Sequence, residues 1–203
     1  MGLKVEYLQF IESSIDRVFS NNTNLKMLEL GDQVIMNNPF TASKTGKEYF
    51  VNLGFEHTSV DINGMHGALI KNLTKQEEFD QWKNYFDIVT NSGTTEHIEP
   101  YESQYTCFNI LHQCSKVGGL MIHLIPDKIC FEKYGAWSGH CNYYYSHDFF
   151  QTLADQCGYE ILSSEVIDQL ICVCLIKTKD VEFVIDKSLF LNNIYNNSQK
   201  ETL

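Results

Sequence analysis

The sequence from Phe86 to His97, FDIVTNSGTTEH, joins a short apolar run to a turn that is rich in polar side chains. Phe86, Ile88 and Val89 are typical of a buried strand, and the residues at 91–93 break the apolar pattern. In an open α/β sheet, ligands bind outside the carboxyl ends of the strands. The turn that follows this strand is therefore where we expect a functional site.

Strand patterns and helix patterns alternate on both sides of this stretch. Strands are predicted at 25–30, 57–62, 68–73, 86–90, 120–125, 159–166 and 170–177. Helices are predicted at 5–19, 43–53, 76–85, 101–117 and 146–157, with stops at Asn21, Asn22, Asn24, Gly118, Gly119 and Gly158. This alternation predicts an α/β fold that is Rossmann-like and doubly wound, with helices on both faces of a mostly parallel seven-stranded sheet. Because few residues separate the last two strands, we expect them to form an antiparallel pair.

The length of 203 residues fits one domain with a substantial core. We expect an N-terminal helix at 1–24, the sheet core at 25–178 and a C-terminal extension at 179–203. The polar tail from Asn192 is expected to be mobile.

Composition limits the classes of partner. The net charge is −11, which argues against a general nucleic-acid-binding surface, because phosphate contacts need clustered Lys and Arg. No apolar run is long enough to cross a bilayer, and the N-terminal stretch does not resemble a signal peptide. We therefore expect a cytoplasmic protein, able to form a homo-oligomer, whose seven cysteines stay reduced. Cys172 and Cys174 should share one buried face of a strand.

Five segments occur in the order found in a known enzyme family. They are LELGDQ at 28–33, TSVDING at 58–64, IKNL at 70–73, FDIVTNSGTTEH at 86–97 and KVGGLMIHLIP at 116–126. Over residues 25 to 178 the chain resembles the class I methyltransferases that use S-adenosylmethionine. With GHCNYY at 139–144, it is similar to a poorly characterised subgroup of methyltransferase-like domains.

The resemblance implies S-adenosylmethionine as cofactor and a set of residues to hold it. Gly31 would let the backbone approach the ligand, and Glu29 would help to position the methionyl part. Asp61 would accept hydrogen bonds from both ribose hydroxyls. Asn72 would bond the adenine amino group, and Asn91 completes the candidate cofactor residues.

Two motifs depart from the family pattern. Asp32 and Gln33 stand where further glycines are usual, and Asn72 stands where the third motif usually has an acid. These departures leave open a non-catalytic binding or assembly module that has kept the fold. A nucleotide-linked oxidoreductase is a further alternative, although the first strand is not followed by GxGxxG.

Four polar residues could meet at the predicted site, and three interpretations remain open. His97 or His140, with Glu96, could act as a general base that removes a proton from an oxygen or nitrogen nucleophile before methyl transfer. The same residues with His123 could bind a divalent metal, although their spacing matches no zinc signature. They could also be structural, with hydrogen bonds to backbone groups.

An aromatic-rich loop follows the fifth predicted strand and is a candidate for contacts with the methyl acceptor. It contains Trp137, His140, Asn142 and the run Tyr143 to Tyr145. Aromatic faces could hold a planar acceptor and shield a sulfonium, or they could simply pack over the sheet. His112, on a predicted helix, is expected to be structural.

Overall fold

The computed structural model describes residues 2–20, 24–36, 38–183 and 185–197. Its centre is a sheet of seven strands. The strands are β1 (Lys26–Leu30), β2 (Glu56–Asp61), β3 (Leu69–Ile70), β4 (Phe86–Ser92), β5 (Ser115–Pro126), β6 (Tyr159–Ile167) and β7 (Leu170–Lys177). Their order across the sheet is β3-β2-β1-β4-β5-β7-β6. The predicted fold class is confirmed.

Strands β1 to β6 run in the same direction, and β7 runs opposite to them. In register, Glu29 of β1 pairs with Ser59 of β2, and Asn91 of β4 pairs with His123 of β5. β7 pairs antiparallel with both β5 and β6, as the short connection between β6 and β7 requires. The carboxyl ends of β1, β2 and β4 therefore meet at one edge of the sheet.

Helices cover both faces of the sheet. They are α1 (Val5–Val18), α2 (Gly46–Asn52), α3 (Ser103–Cys114), α4 (Lys128–Tyr134), α5 (His147–Cys157) and α6 (Lys187–Asn192). α1 and α2 pack on the face that contains Met27, Ile88 and Cys172, whereas α3, α5 and α6 pack on the opposite face. Successive strand residues alternate between the two cores, and Cys172 and Cys174 share one of them, as expected. None of the helices in the described ranges is long and apolar enough to cross a membrane.

The helix predicted at 76–85 is wrong. Two short 3-10 turns, Gln76–Glu78 and Asp80–Trp82, occupy this segment. Phe79 and Trp82 are three residues apart, the repeat of a 3-10 helix, and their rings make an edge contact at 5.8 Å. Trp82 then contacts Phe86 at the start of β4. The segment therefore folds to bury its aromatic rings.

The helix predicted at 101–117 ends early, and Gly118 and Gly119, which were expected to stop it, lie inside a strand. α3 stops at Cys114, and β5 begins at once with Ser115. The Nζ atom of Lys177 donates to the carbonyl oxygens of His112 and Ser115, at 2.9 and 3.1 Å, where the helix ends. A Cβ on Gly119 would lie 3.0 Å from the carbonyl oxygen of Asp87, so this glycine permits close approach of β4 and β5.

Two further expectations need adjustment, and two helices were not expected. α2 begins at Gly46 rather than at 43, because the Thr45 side chain accepts a hydrogen bond from the Glu48 backbone N–H and caps the helix there. The tail predicted to be mobile is ordered in part, since Tyr195–Asn196 pairs with Tyr143–Tyr144. α4 and α6 were not predicted. Residues 198–203, and the predicted helix stop at Asn21 and Asn22, lie outside the described residues.

Candidate functional site

A cavity of about 580 Å³ opens where the carboxyl ends of β1, β2 and β4 meet. Of the five predicted cofactor residues, it is lined by Gly31, Asp61 and Asn72. Gln33 and His97 line it as well. The cavity therefore lies where the strand order of the sheet places a ligand site.

Gly31 directly follows β1 and has a backbone conformation that favours glycine. Its φ angle is +84°, and its N–H donates to the Val60 carbonyl oxygen at 2.8 Å. A Cβ at this position would lie 2.6 Å from both Gln33 Nε2 and Thr94 Oγ1. The loop after β1 is thus closely packed against the turn after β4, and a side chain would disturb both.

Asp61 is the last residue of β2 and is half-buried. Its Oδ2 accepts the Asp32 backbone N–H at 3.1 Å, and its Oδ1 accepts the Asn63 backbone N–H at 2.9 Å. Each carboxylate oxygen has more than one acceptor site, so both retain capacity for a ligand hydroxyl. The two backbone contacts hold the carboxyl group in place at the cavity wall.

Gln33 also lines the cavity, although the sequence analysis mentions it only because it stands where a glycine is usual. It is 4% exposed, and its Nε2 donates to the Leu30 carbonyl oxygen at 3.3 Å. Its Oε1 is buried and has no hydrogen-bond partner. A buried acceptor without a donor is unfavourable, so this oxygen is suited to receive an N–H from a ligand. The position of Gln33 two residues after the glycine of LELGDQ was the available signal.

Asn72 lines the cavity, but its side-chain oxygen has local partners. Oδ1 accepts from the backbone N–H of Thr74 at 2.9 Å and from its hydroxyl at 2.8 Å. This arrangement is a turn that the asparagine stabilises itself. Lys71, next to it, also lines the cavity and places its Nζ 4.8 Å from the Trp82 ring.

Glu29 lies away from the cavity, so the structure gives it no direct contact with a ligand there. It is 2% exposed and faces α2, with its Oε2 3.6 Å from His57 Nε2. Burial raises the pKa of Glu29 well above its ordinary value, and burial lowers the pKa of His57 to about 4. Both groups are therefore held in their neutral forms inside the protein.

Asn91 is also placed behind the cavity rather than in its wall. Its Nδ2 donates to Thr95 Oγ1 at 2.9 Å and lies 3.1 Å from His123 Nδ1. Its Oδ1 accepts the Thr95 backbone N–H at 3.3 Å. Because all three residues are buried, Asn91 fixes the turn that follows β4.

A second, smaller pocket of about 240 Å³ adjoins the cavity. It is lined by Glu96, His140 and Asn142, and it shares His97 and Glu99 with the larger cavity. The sequence analysis did not single out Glu99, although it lies two residues after His97. The two spaces together can hold one ligand beside another.

The three predicted catalytic residues meet at this smaller pocket. The rings of His97 and His140 are in edge contact at 4.9 Å, and His97 Nε2 lies 3.8 Å from Glu96 Oε1. Burial raises the pKa of Glu96 to about 8, and its Oε2 has no hydrogen-bond partner. Burial, and then the charge of His140, lower the pKa of His97. At neutral pH the site therefore holds a protonated carboxyl beside an imidazole that is free to accept a proton.

His123 does not join this group. It is 1% exposed, stacks on Phe108 at 5.5 Å, and burial lowers its pKa to about 3. The fourth residue of the proposed metal set is thus inside the core. Across the described ranges, no three His, Cys, Asp or Glu side chains are grouped so that they could hold a metal ion. His112 is structural, as predicted, with bonds to Tyr159 and Val181.

The tyrosine run does not offer its rings to an acceptor. Tyr143, Tyr144 and Tyr145 are each at most 1% exposed. Their hydroxyls donate to Glu99, to the carbonyl oxygens of 137 and 141, and to Gln104, respectively. These rings are core packing, so the predicted aromatic face is wrong for all three, whereas His140 and Asn142 of the same loop do reach the pocket.

No protein-family model and no curated protein sequence matches this chain. Solved structures do resemble its fold. A Pyrococcus horikoshii protein aligns with a TM-score of 0.59 at 14% identity, over 86% of this chain and 90% of its own. The 1,6-didemethyltoxoflavin-N1-methyltransferase of Burkholderia thailandensis, solved with 1,6-didemethyltoxoflavin and S-adenosylhomocysteine, aligns with a TM-score of 0.56 at 12% identity, over 84% and 79%.

A third solved structure is the geranyl diphosphate C-methyltransferase of Streptomyces coelicolor, in complex with Mg²⁺, geranyl diphosphate and S-adenosylhomocysteine. It aligns with a TM-score of 0.53 at 10% identity, over 85% of this chain and 78% of its own. At these identities the likeness establishes the fold alone.

Proposed function

We propose that this chain, which has the fold of the class I S-adenosylmethionine-dependent methyltransferases, transfers a methyl group to an oxygen or nitrogen nucleophile. One observation carries the proposal: a cavity of about 580 Å³ at the strand ends adjoins a pocket of about 240 Å³, and both are lined by His97 and Glu99. The larger space suits the methyl donor and the smaller one suits the acceptor.

The residues of the larger cavity fit S-adenosylmethionine. Asp61 offers carboxylate oxygens to ribose hydroxyls, and Ile62 and Leu73 supply apolar surface for a planar base. The unpartnered Oε1 of Gln33 suits the amino group of the methionyl part. Gly31 lines the cavity beside these groups, and its position admits no side chain because Gln33 and Thr94 fill that space.

The cofactor would supply a methyl group on a positively charged sulfur, which is open to attack by a lone pair. The chain would then contribute alignment, exclusion of water and proton transfer rather than a covalent intermediate. His97 lies where the two spaces meet, and its lowered pKa keeps the imidazole neutral, so that Nε2 or Nδ1 can accept the proton of the acceptor. Glu96 and His140 would position the acceptor in the smaller pocket.

A binding or assembly module that lacks turnover is the second candidate. It is favoured because the atoms expected to bind the cofactor already accept hydrogen bonds from the protein. Both Asp61 oxygens accept backbone N–H groups, and Asn72 Oδ1 accepts twice from Thr74. These contacts would lower affinity for a nucleoside. The intact pair of adjoining spaces supports the enzyme over the module.

Isothermal titration calorimetry with S-adenosylhomocysteine tests the proposal. We expect binding by the wild type, and a loss of about 10- to 100-fold for Asp61→Asn, because a hydrogen bond to a charged acceptor contributes about 1.5–3 kcal/mol. Asp155→Asn, on the exposed side of α5, is the matched control and should bind normally. No binding at millimolar ligand would contradict the proposal, and preference for a nicotinamide dinucleotide would favour an oxidoreductase.

A further inference from the structure

The smaller pocket is lined by titratable side chains. Two carboxyl groups, Glu96 and Glu99, and two imidazoles, His97 and His140, line it, and the described residues of its wall include no Lys or Arg. A phosphate or carboxylate acceptor would find no Lys or Arg there and would lie beside the Glu99 carboxylate. The pocket therefore favours an acceptor that carries positive charge.

One of the residues that line this pocket has a carboxyl oxygen without a hydrogen-bond partner. The two oxygens of Glu99 accept from Asn142 Nδ2, at 3.0 Å, and from the Tyr143 hydroxyl. Glu96, in contrast, is 1% exposed, and its Oε2 is buried without any hydrogen-bond donor. A buried carboxyl oxygen in this condition costs free energy that a ligand donor can recover.

We propose that the methyl acceptor is a small organic amine, which enters the pocket as an ammonium ion and donates an N–H to Glu96 Oε2. This inference rests on the proposed methyl transfer at the adjoining cavity. Glu99 adds negative charge at the shared wall, and the pocket volume of about 240 Å³ limits the acceptor to a small molecule. The buried, protonated state of Glu96 in the empty pocket is consistent with this role, because an arriving cation favours its ionised form, and the Glu96 proton then passes to water.

The transfer step balances with the groups present. The ammonium ion gives one proton to the neutral His97 imidazole and becomes an amine with a free lone pair. The nitrogen lone pair forms the new N–C bond to the methyl carbon, while the C–S bond breaks and its electron pair stays on sulfur. The products are the N-methylammonium ion and S-adenosylhomocysteine, and His97 then releases its proton to water.

Three probes of similar size and different charge test the inference: benzylamine, benzyl alcohol and benzoate. Binding is measured by NMR titration of the wild type, Glu96→Gln and the control Glu165→Gln, which changes an exposed carboxyl on β6. We expect benzylamine to bind at least about tenfold more tightly than either other probe. Glu96→Gln should remove most of this preference, and Glu165→Gln should keep it.

Equal binding of benzyl alcohol, preferred binding of benzoate, no binding of any probe, or an unchanged preference in Glu96→Gln would each overturn the inference. Thermal melts of Glu96→Gln establish that the variant is folded. The titrations are run with and without S-adenosylhomocysteine, whose own binding is measured separately. An amine preference without cofactor binding would refute the methyl transfer but keep the amine pocket, and the reverse result would refute only the amine.

Discussion

Replacing Asn91 with alanine should destabilise the fold without removing a ligand contact. The side chain is completely buried and supports the turn after β4 through Thr95 and His123. The alanine variant leaves two buried groups unpaired, the Thr95 backbone N–H and His123 Nδ1. Each such loss costs about 1–3 kcal/mol, so after partial relaxation we expect a decrease of about 2–4 kcal/mol in the free energy of unfolding.

This decrease corresponds to a melting temperature lower by roughly 4–16 °C for a domain of this size. Thermal unfolding followed by circular dichroism measures it, with Asn52→Ala as control. Asn52 is exposed and makes one hydrogen bond, to Ser43 at 3.2 Å, so its loss should change the melting temperature little. Affinity for S-adenosylhomocysteine should fall only a few-fold in folded Asn91→Ala. An unchanged melting temperature together with lost ligand binding would refute the reasoning and make Asn91 a direct contact.

Three other changes have defined outcomes. Gly31→Ala should lower the free energy of unfolding by about 1–3 kcal/mol, because alanine is strained at φ +84° and its Cβ would meet Thr94. Chemical denaturation measures this, and a free energy equal to that of the wild type would contradict the close packing. Tyr159→Phe should lower the free energy of unfolding by about 1–3 kcal/mol, because it removes the hydroxyl that lies 2.6 Å from His112 Nδ1. An unchanged free energy in the same assay would argue against that hydrogen bond. Burial raises the pKa of Glu96 from 4.5 to about 8, so its contribution to stability is complete below about pH 4.5 and is lost as the pH rises through 8. Melts from pH 5 to 8.5 should therefore decline less steeply for Glu96→Gln than for the wild type, and parallel curves would contradict the raised pKa.

The sheet could be predicted from the sequence because its strands are continuous apolar runs separated by helical patterns. The segment at 76–85 could not be predicted. Its aromatic residues repeat every three positions, and the contact between the Trp82 and Phe86 rings depends on the burial of Phe86 in the folded core. The end of α3 likewise depends on Lys177, which is far away in sequence.

The site could be predicted in part, and the position of each residue within its strand explains the outcome. Asp61 is the last residue of β2, so its carboxyl group emerges at the sheet edge, in the cavity wall. Glu29 and Asn91 each lie one residue before the end of their strands, so alternation turns them toward the two faces of the sheet. Glu96 and His97 follow β4 in a 3-10 turn and do reach the pocket.

The most direct test of the account is a crystal structure of the protein grown with S-adenosylhomocysteine. We expect the ribose hydroxyls within about 3 Å of the Asp61 carboxylate oxygens and the sulfur facing the smaller pocket, beside His97. Ligand bound elsewhere, or a ribose that does not contact Asp61, would contradict the account.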